Sequence, residues 1–370
     1  MEGPRAPLDS ELPNVVRFLD SHLRPEASWS VASEYPIAFA PANMRNIRII
    51  KENDQVLSHA VLRPMIMKTP SGLFKVGAIG SVVTLEEHRH QGLSTRTIES
   101  CLKAAEEASC DFAILWTNLY DFYRRLGFEL AGTELSILID REMDLSGGAV
   151  SDPAPPLKFM DSNRIAPDPI HRLYAKHTVS SVRTLDETRR YLQIPNMRVY
   201  TAWDEHGALK AYAIEGKGAD LNGYIHEWGG GVSSLIPLLA HIRKVQQRPI
   251  TVIVPSHALN LIRQFEARGL LVNHGFLGMI KIVNFNSLFA KIKKQARSLG
   301  FDDLILEQKD SKFLIGNQQG IFSTDAEQDV VKLIFGPYKA AEFKGFDPAV
   351  AARLEKILPV QMWIWGWDSI

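Results

Sequence analysis

The sequence predicts an α/β chain made of two similarly ordered sheet-and-helix units and a smaller α/β unit at the C-terminus. Three observations predict it. A β-rich segment leads through a strand and a glycine-containing loop into an amphipathic helix, the pattern of a crossover between parallel strands. After Asp144, residues 145–156 run LSGGAVSDPAPP, a composition that cannot pack a core and reads as a linker. Beyond that break the order of helices and strands returns, in pattern and not in identity. With 370 residues, two or three domains are expected. The divisions fall at 1–145, 146–156 (linker), 157–284 and 285–370.

Taken in order, an opening helix is capped by Asp9 or Ser10 and turns Val15, Phe18, Leu19, His22 and Leu23 to one side. Strands follow at 48–50, 56–67 and 73–84, with turns at Asn53-Asp54 and Pro70-Ser71-Gly72. A helix over 94–108 carries the stripe Ile98, Cys101, Leu102, Ala105 and Ala108. A buried strand at 112–116, a helix at 120–126 ended by Gly127, and a strand at 133–139 close the first unit. The second unit has helices around 170–177 and 185–192 and strands at 199–203, 209–214 and 223–228. A glycine run at 229–231, a helix through 235–242, a strand at 250–254, a helix at 258–268 and a strand at 279–283 complete it. The last unit has a helix (288–299), an antiparallel pair (304–307 and 312–317) and helical stretches near 326–334 and 348–358. It ends in Trp363-Ile-Trp-Gly-Trp-Asp-Ser-Ile370.

Composition excludes several function classes. Lys plus Arg equals Asp plus Glu, 42 of each, which gives no general affinity for nucleic acid or anionic membranes. Cys101 and Cys110 form neither a CxxC pair nor a His cluster, as in a reducing compartment. The N-terminus carries no basic-then-apolar leader and no stretch is long enough to span a bilayer, so a cytoplasmic location is expected.

The stretch that carries chemistry is VVTLEEHRHQGLSTRTIESCL, starting at Val82. A strand delivers Arg89, His90, Gln91, Gly92, Leu93 and Ser94 to the start of a helix. The first helical turn has free backbone N–H groups and the positive end of the dipole, which suits a pyrophosphate. Gly92 allows close backbone approach, Ser94 is small and Arg89 adds positive charge. About thirty residues on stands Phe122-Tyr123-Arg124-Arg125-Leu126-Gly127-Phe128, a short helix ending at a glycine cap.

The first motif resembles Arg/Gln-x-x-Gly-x-Gly/Ala, and the second Tyr-x-x-Leu-Gly-Phe, of the GNAT N-acetyltransferase superfamily. Ser94 replaces the usual last small residue. The whole chain resembles the enhanced intracellular survival (Eis) acetyltransferases: a catalytic GNAT domain, a second GNAT-like domain lacking its own cofactor loop, and a C-terminal sterol-carrier-like domain. The resemblance implies acetyl-coenzyme A as cofactor, held by 89–94, by backbone groups of Val82 and Val83, and by Asn118. The spacing from Asn118 to Tyr123 is shorter than the family's commonest pattern. It also implies catalytic roles for Tyr123 and for the terminal carboxylate, here Ile370.

Acetyl transfer to an amine requires deprotonation of the amine, a donor to the oxyanion and a proton for the departing thiolate. Tyr123 is assigned the last of these, with Tyr120 as substitute. A phenol and a thiol differ by only about 2 kcal/mol on the reference scale. The three tail tryptophans are too apolar to leave in water, so the terminus is expected to pack. An α-carboxylate is a weak base, and Ile370 can equally anchor a cationic amine. His226 and Glu227, adjacent on a strand, face opposite ways and do not suggest a metal site. Their run into Gly229-Gly230 reads either as a degenerate cofactor loop shaping the substrate cavity through Glu227 or as a structural turn.

The expected activity is transfer of acetyl from acetyl-CoA to a primary amine, on a small molecule or a lysine, by direct attack in a ternary complex. Transfer of a longer acyl or aminoacyl group, or non-catalytic binding of acyl-CoA or lipid, are the alternatives. Neither nucleic acid, membrane nor metal is expected as a partner; a homo-oligomer is possible.

Overall fold

The computed structural model describes residues 1–143, 145, 156–162 and 164–370. The expected linker, 146–156, lies outside the described residues except for Pro156. The chain begins with β1 (Glu2–Arg5), α1 (Leu12–Leu23), α2 (Val31–Glu34), β2 (Ile47–Glu52), β3 (Gln55–Thr69) and β4 (Gly72–Thr84). It continues through α3 (Leu93–Glu107), β5 (Phe112–Leu115), α4 (Tyr120–Arg124), β6 (Glu129–Ala131) and β7 (Glu134–Ile139). The second unit holds β8 (Lys158–Asp161), α5 (Pro167–Tyr174), β9 (Ser180–Ser181), α6 (Leu185–Tyr191), β10 (Arg198–Trp203) and β11 (Leu209–Lys217). After these come β12 (Asp220–Gly230), α7 (Val232–Gln246), β13 (Ile250–Pro255), α8 (Leu259–Glu266), β14 (Leu271–Gly275) and β15 (Gly278–Ile282). The C-terminal unit consists of α9 (Phe285–Ser298), β16 (Ile305–Lys309), β17 (Lys312–Asn317), β18 (Gly320–Thr324), α10 (Glu327–Phe335) and α11 (Pro348–Leu354).

Two expectations are corrected at this level. Helix α1 starts at Leu12, so that its capping position is Glu11 instead of Asp9 or Ser10, and Glu11 makes no side-chain cap. The Glu11 carboxylate instead takes Arg5, Lys51 and the Leu8 amide, so its acceptor capacity is spent on β1 and β2. The C-terminal sheet has three strands where a pair was expected, β18 being short and half polar.

The sheets trade strands. The first runs β1-β2-β3-β4-β5-β15-β6, with β9 paired to β3, and the second β14-β7-β13-β12-β11-β10-β8. Thus β7, from the first unit, pairs with β13 and β14, while β15, from the second, pairs with β5 and β6. Alternation in β7 (ELSILI) buries Leu135, Ile137 and Ile139 on one face. Such alternation marks a strand and its core face but leaves its partner open. The main core consequently runs through both units and into the third, where Phe335 of α10 meets Phe112 of β5 at 4.7 Å.

Each long hairpin carries a bulge near the middle of the molecule. In β4 the register with β3 slips beside Ala60, and Ser81 takes a positive φ of 49°. In β12 the register with β11 slips at His226, between Ile225 and Glu227. A bulge bends its strand and re-aims side chains. The C-terminal tail lies between these two.

Candidate active site

Strand β4 pairs with β3 to its end but with β5 only through Val76, Gly77 and Ala78. The two parallel strands then part, and half-buried Val82 and Val83 stand in the parted stretch. Gly92 caps α3 in the left-handed region at φ 76°, and a Cβ there would meet nothing within 4 Å. The first bond of the helix runs from Arg96 N to Gly92 O, 3.0 Å, so the amides before Arg96 in the first turn lack helical acceptors. The Ser94 hydroxyl is 2.7 Å from that of Thr84, which is 2.9 Å from that of Ser58. This chain of hydroxyls ties the helix start to β4 and β3. Arg89, His90 and Gln91 are exposed on the loop and Leu93 is buried beneath it. Asn118 is exposed on the turn before α4.

Tyr123 lies on α4, whose end is closed by Phe128 N donating to Tyr123 O, with Gly127 at φ 85°. Its ring is buried edge-on against Phe122 and Phe128, in the cluster that includes Leu115 and takes in Val82. Its hydroxyl has no hydrogen-bond partner among the described residues, and burial pushes the phenol up to about 12. Tyr120 is exposed.

The tail is packed throughout. Trp363, Trp365 and Trp367 are buried, and Trp367 stacks on Tyr191 at 5.4 Å. Asp368, fully buried, accepts from Arg183 (2.6 Å), Ser181 (2.6 Å), Arg63 (3.1 Å), Tyr191 (3.1 Å) and Tyr174 (3.2 Å). Burial alone would raise its carboxyl, but Arg183 and Arg63 outweigh that and hold it well below the usual carboxylate range. Arg183 also pairs with Glu227 at 2.7 Å. Buried Lys217 donates to the carbonyls of Gly366 (2.8 Å) and Ser369 (2.5 Å), and burial pushes its ammonium down to about 7. Gly366 fits against the His226 ring, where a Cβ would lie 2.0 Å from Nδ1. These contacts draw residues from both units onto four consecutive positions of the tail, 366–369. The terminal carboxyl of Ile370 then rests on Gly80, one residue before the β4 bulge.

A cavity of about 470 Å³ opens there. Ser81 and Val82 from β4 line it, with Trp116 after β5, Glu134 from β7, and Tyr35 and Arg24 from the α1–α2 region. Asp220 and His226 of β12 and the tail from Trp363 to Ile370 contribute the remaining polar wall. Among the sequence-named residues, Val82 and Ile370 thus share one cavity, whereas Tyr123 lies in the apolar layer packed against Val82. Glu227 does not line it. The bulge sends His226 to the cavity and Glu227 to Arg183, correcting the reading in which Glu227 shapes the pocket. Glu134, Trp116 and Asp220 carry no motif, since the parts of the fold that bring them together are far apart in sequence.

Residues 27–131 match the family model described as an acetyltransferase (GNAT) domain. The N-terminal unit is a GNAT acetyltransferase domain. No curated protein matches the chain in sequence. Over the whole chain the fold is similar to that of a GCN5-related N-acetyltransferase from Anabaena variabilis ATCC 29413, with a TM-score of 0.68, 15% identity and 99% of each chain covered. Eis1 from Mycobacterium abscessus has a TM-score of 0.68 at 9% identity and full coverage of both chains. A probable N-acyltransferase from Enterococcus faecalis V583 has a TM-score of 0.64 at 15% identity, with 98% of each chain covered. The architecture is mixed α/β with two GNAT-like sheets.

The GNAT family generally uses acetyl-CoA as cosubstrate, and the residues present fit such a group. The space above Gly92 is free of protein atoms, the helix amides beside it lack helical acceptors, and the parted β4 leaves a strand edge that β5 does not pair. A diphosphate suits the first feature and an extended amide-bearing arm the last. Both buried thiols are remote from nucleophilic duty: burial pushes Cys101 up to about 12 and Cys110 up to about 11.

Proposed function

We propose that this chain is an acetyl-CoA-dependent N-acetyltransferase acting on a primary amine, by direct attack within a ternary complex. The observation that carries the reading is the placement of the terminal carboxyl of Ile370 on Gly80, in the cavity that the parted β4 also lines. In this reading residues 89–94 and the α3 amides hold the diphosphate, and backbone groups of Val82 and Val83 hold the arm. Asn118 would touch the same group from the turn before α4. The thioester supplies the activated acyl group.

The chain's own groups then handle protons and charge. The acceptor enters as an ammonium, and the Ile370 carboxylate takes its proton, directly or through water. The new N–C bond forms as the C–S bond breaks, the Tyr123 hydroxyl supplies the proton that the sulfur takes up, and the second proton lost by the nitrogen restores that hydroxyl through solvent. With Tyr123 near 12 and a free thiol near 8.5, that transfer is uphill by about 5 kcal/mol, against about 2 for an ordinary phenol. Thiolate burial in the same apolar layer narrows the gap. The C-terminal unit, residues 285–370, is read as the sterol-carrier-like module whose part in the reaction is the delivery of the tail.

Calorimetry with coenzyme A and thiol release from acetyl-CoA with a panel of amines test this reading. Micromolar coenzyme A uptake and amine-dependent thiol release are expected, with loss of release on deletion of Ser369 and Ile370. Absence of coenzyme A uptake by the intact protein would overturn it.

A further inference from the structure

The cavity holds one carboxyl, Glu134, that is left unpaired and to which neither the tail lock nor the proposed chemistry gives a role. Glu134 opens β7, the strand given to the second sheet, and its register partners are Pro255 of β13 and Gly275 of β14. Leu135, Ile137 and Ile139 point into the core, which leaves Glu134 on the opposite face, at the cavity. Among the described residues its carboxylate has neither an ion-pair partner nor a hydrogen-bond donor. This contrasts with Asp368 and Glu227, each buried against Arg183, and with Asp220, which pairs with Arg24 at 3.2 Å. A second observation points the same way. Two of the lining residues, His226 and Trp363, are fully buried and each carries a polar atom, Nδ1 and Nε1, without a partner among the described residues, Nδ1 lying against Gly366. His226 Nε2 is engaged with the Gly216 carbonyl at 2.9 Å, so Nδ1 is left as an acceptor. Buried polar atoms without partners are rare in folded proteins, and they make this wall of the cavity polar.

We infer that Glu134 is the specificity residue of the acceptor cavity, its carboxylate receiving an ammonium group of the amine substrate. The inference rests on the acyltransfer reading. Burial pushes the Glu134 carboxyl up to about 7, so the empty cavity holds it largely protonated below neutrality. An arriving cation favours the ionised form, and binding therefore expels the proton. The groups sharing the cavity are Arg24, Tyr35, Asp220, His226 and the Ile370 carboxylate. Of the strands against β7, β13 has no titratable side chain and β14 only His274. Arg24 is engaged by Glu34 and Asp220, and burial holds His226 near 3, uncharged between pH 6 and 8. Lys217, behind the tail, titrates near 7 and stays in place when Glu134 is changed.

Spermidine titrated calorimetrically into the full chain, in two buffers of different ionisation enthalpy, reads the proton directly. The wild type should release about 0.9 proton at pH 6 and about 0.1 at pH 8 from this group. Glu134→Gln should remove that pH-dependent release and weaken spermidine at least fivefold, with coenzyme A uptake unchanged. Glu134→Asp should keep the release at intermediate affinity, which a purely structural glutamate would not do. Coenzyme A uptake with equal proton release and affinity in wild type and Glu134→Gln overturns the inference and leaves the acyltransfer reading standing. Failure of millimolar spermidine to bind the wild type overturns it too. Failure of coenzyme A to bind overturns the reading beneath it.

Discussion

The terminal carboxyl of Ile370 occupies the space that a side chain at Gly80 would fill: a Cβ built there lies 2.6 Å from both the carboxyl carbon and its oxygen. Gly80 is therefore glycine for the sake of a residue 290 positions away. Gly80→Ala should expel the terminus while leaving β4 paired. The expected result is at least a tenfold loss of amine-dependent thiol release, with a stability cost of about 1–3 kcal/mol as for other overpacked sites. Thermal melting by circular dichroism beside the activity assay checks both numbers.

Tyr123→Phe keeps the ring contacts with Phe122 and Phe128 and removes a hydroxyl that has no partner among the described residues. Its melting temperature should stay within a degree or two of wild type, while kcat falls at least about tenfold, the range for loss of a general acid. Because burial places this phenol near 12, it stays protonated up to about pH 10. The wild-type kcat should show no alkaline fall from this group below pH 11, whereas an unburied phenol would give one near 10. Unchanged kcat in Tyr123→Phe removes the residue from the mechanism.

Asp368 joins Arg63 of β3 to Arg183 of the second unit, so it fastens both units to the tail. Asp368→Asn leaves two buried guanidinium groups short of a counter-charge. Losses of about 3–5 kcal/mol accompany such a broken buried pair. Urea unfolding measures the loss, and tryptophan fluorescence reports release of Trp367 from Tyr191. A wild-type midpoint would show that the pair contributes nothing.

Lys217 supplies a pH dependence of the same sense as acid unfolding, but in the neutral-to-alkaline range. Burial lowers its folded-state value to about 7 from an ordinary 10.5. Between these values the unfolded chain binds the extra proton, so stability rises with pH across that window and the gain is absent below 7. Unfolding free energies at pH 7 and pH 9.5 should differ by a few kcal/mol in the wild type and by much less in Lys217→Gln. Equal slopes would mean that Lys217 is solvated.

Much of the first unit was legible because its signals are local. The strand, Gly92 and the helix face Ile98–Cys101–Ala105 lie within one short stretch, and the Tyr123–Phe128 helix end follows directly from Gly127. The packing of the tail was legible from three tryptophans that water would disfavour. What escaped is what depends on distance. Nothing near Glu134 distinguishes a strand that closes its own sheet from one that crosses to another. His226 and Glu227 read as pointing to opposite faces from strand alternation, and the bulge that sends the histidine to the cavity depends on register with β11. The missed cap of α1 is of the same kind, since Glu11 is spent on Arg5 and Lys51 of neighbouring strands.

The reciprocal gift of β7 and β15 bears on how the molecule is made. As the chain leaves the ribosome, β5 and β6 wait with open edges until residues 278–282 arrive, and only then is the first sheet whole. A nascent chain stalled before residue 278 therefore leaves β5 and β6 without the strand that completes the first sheet.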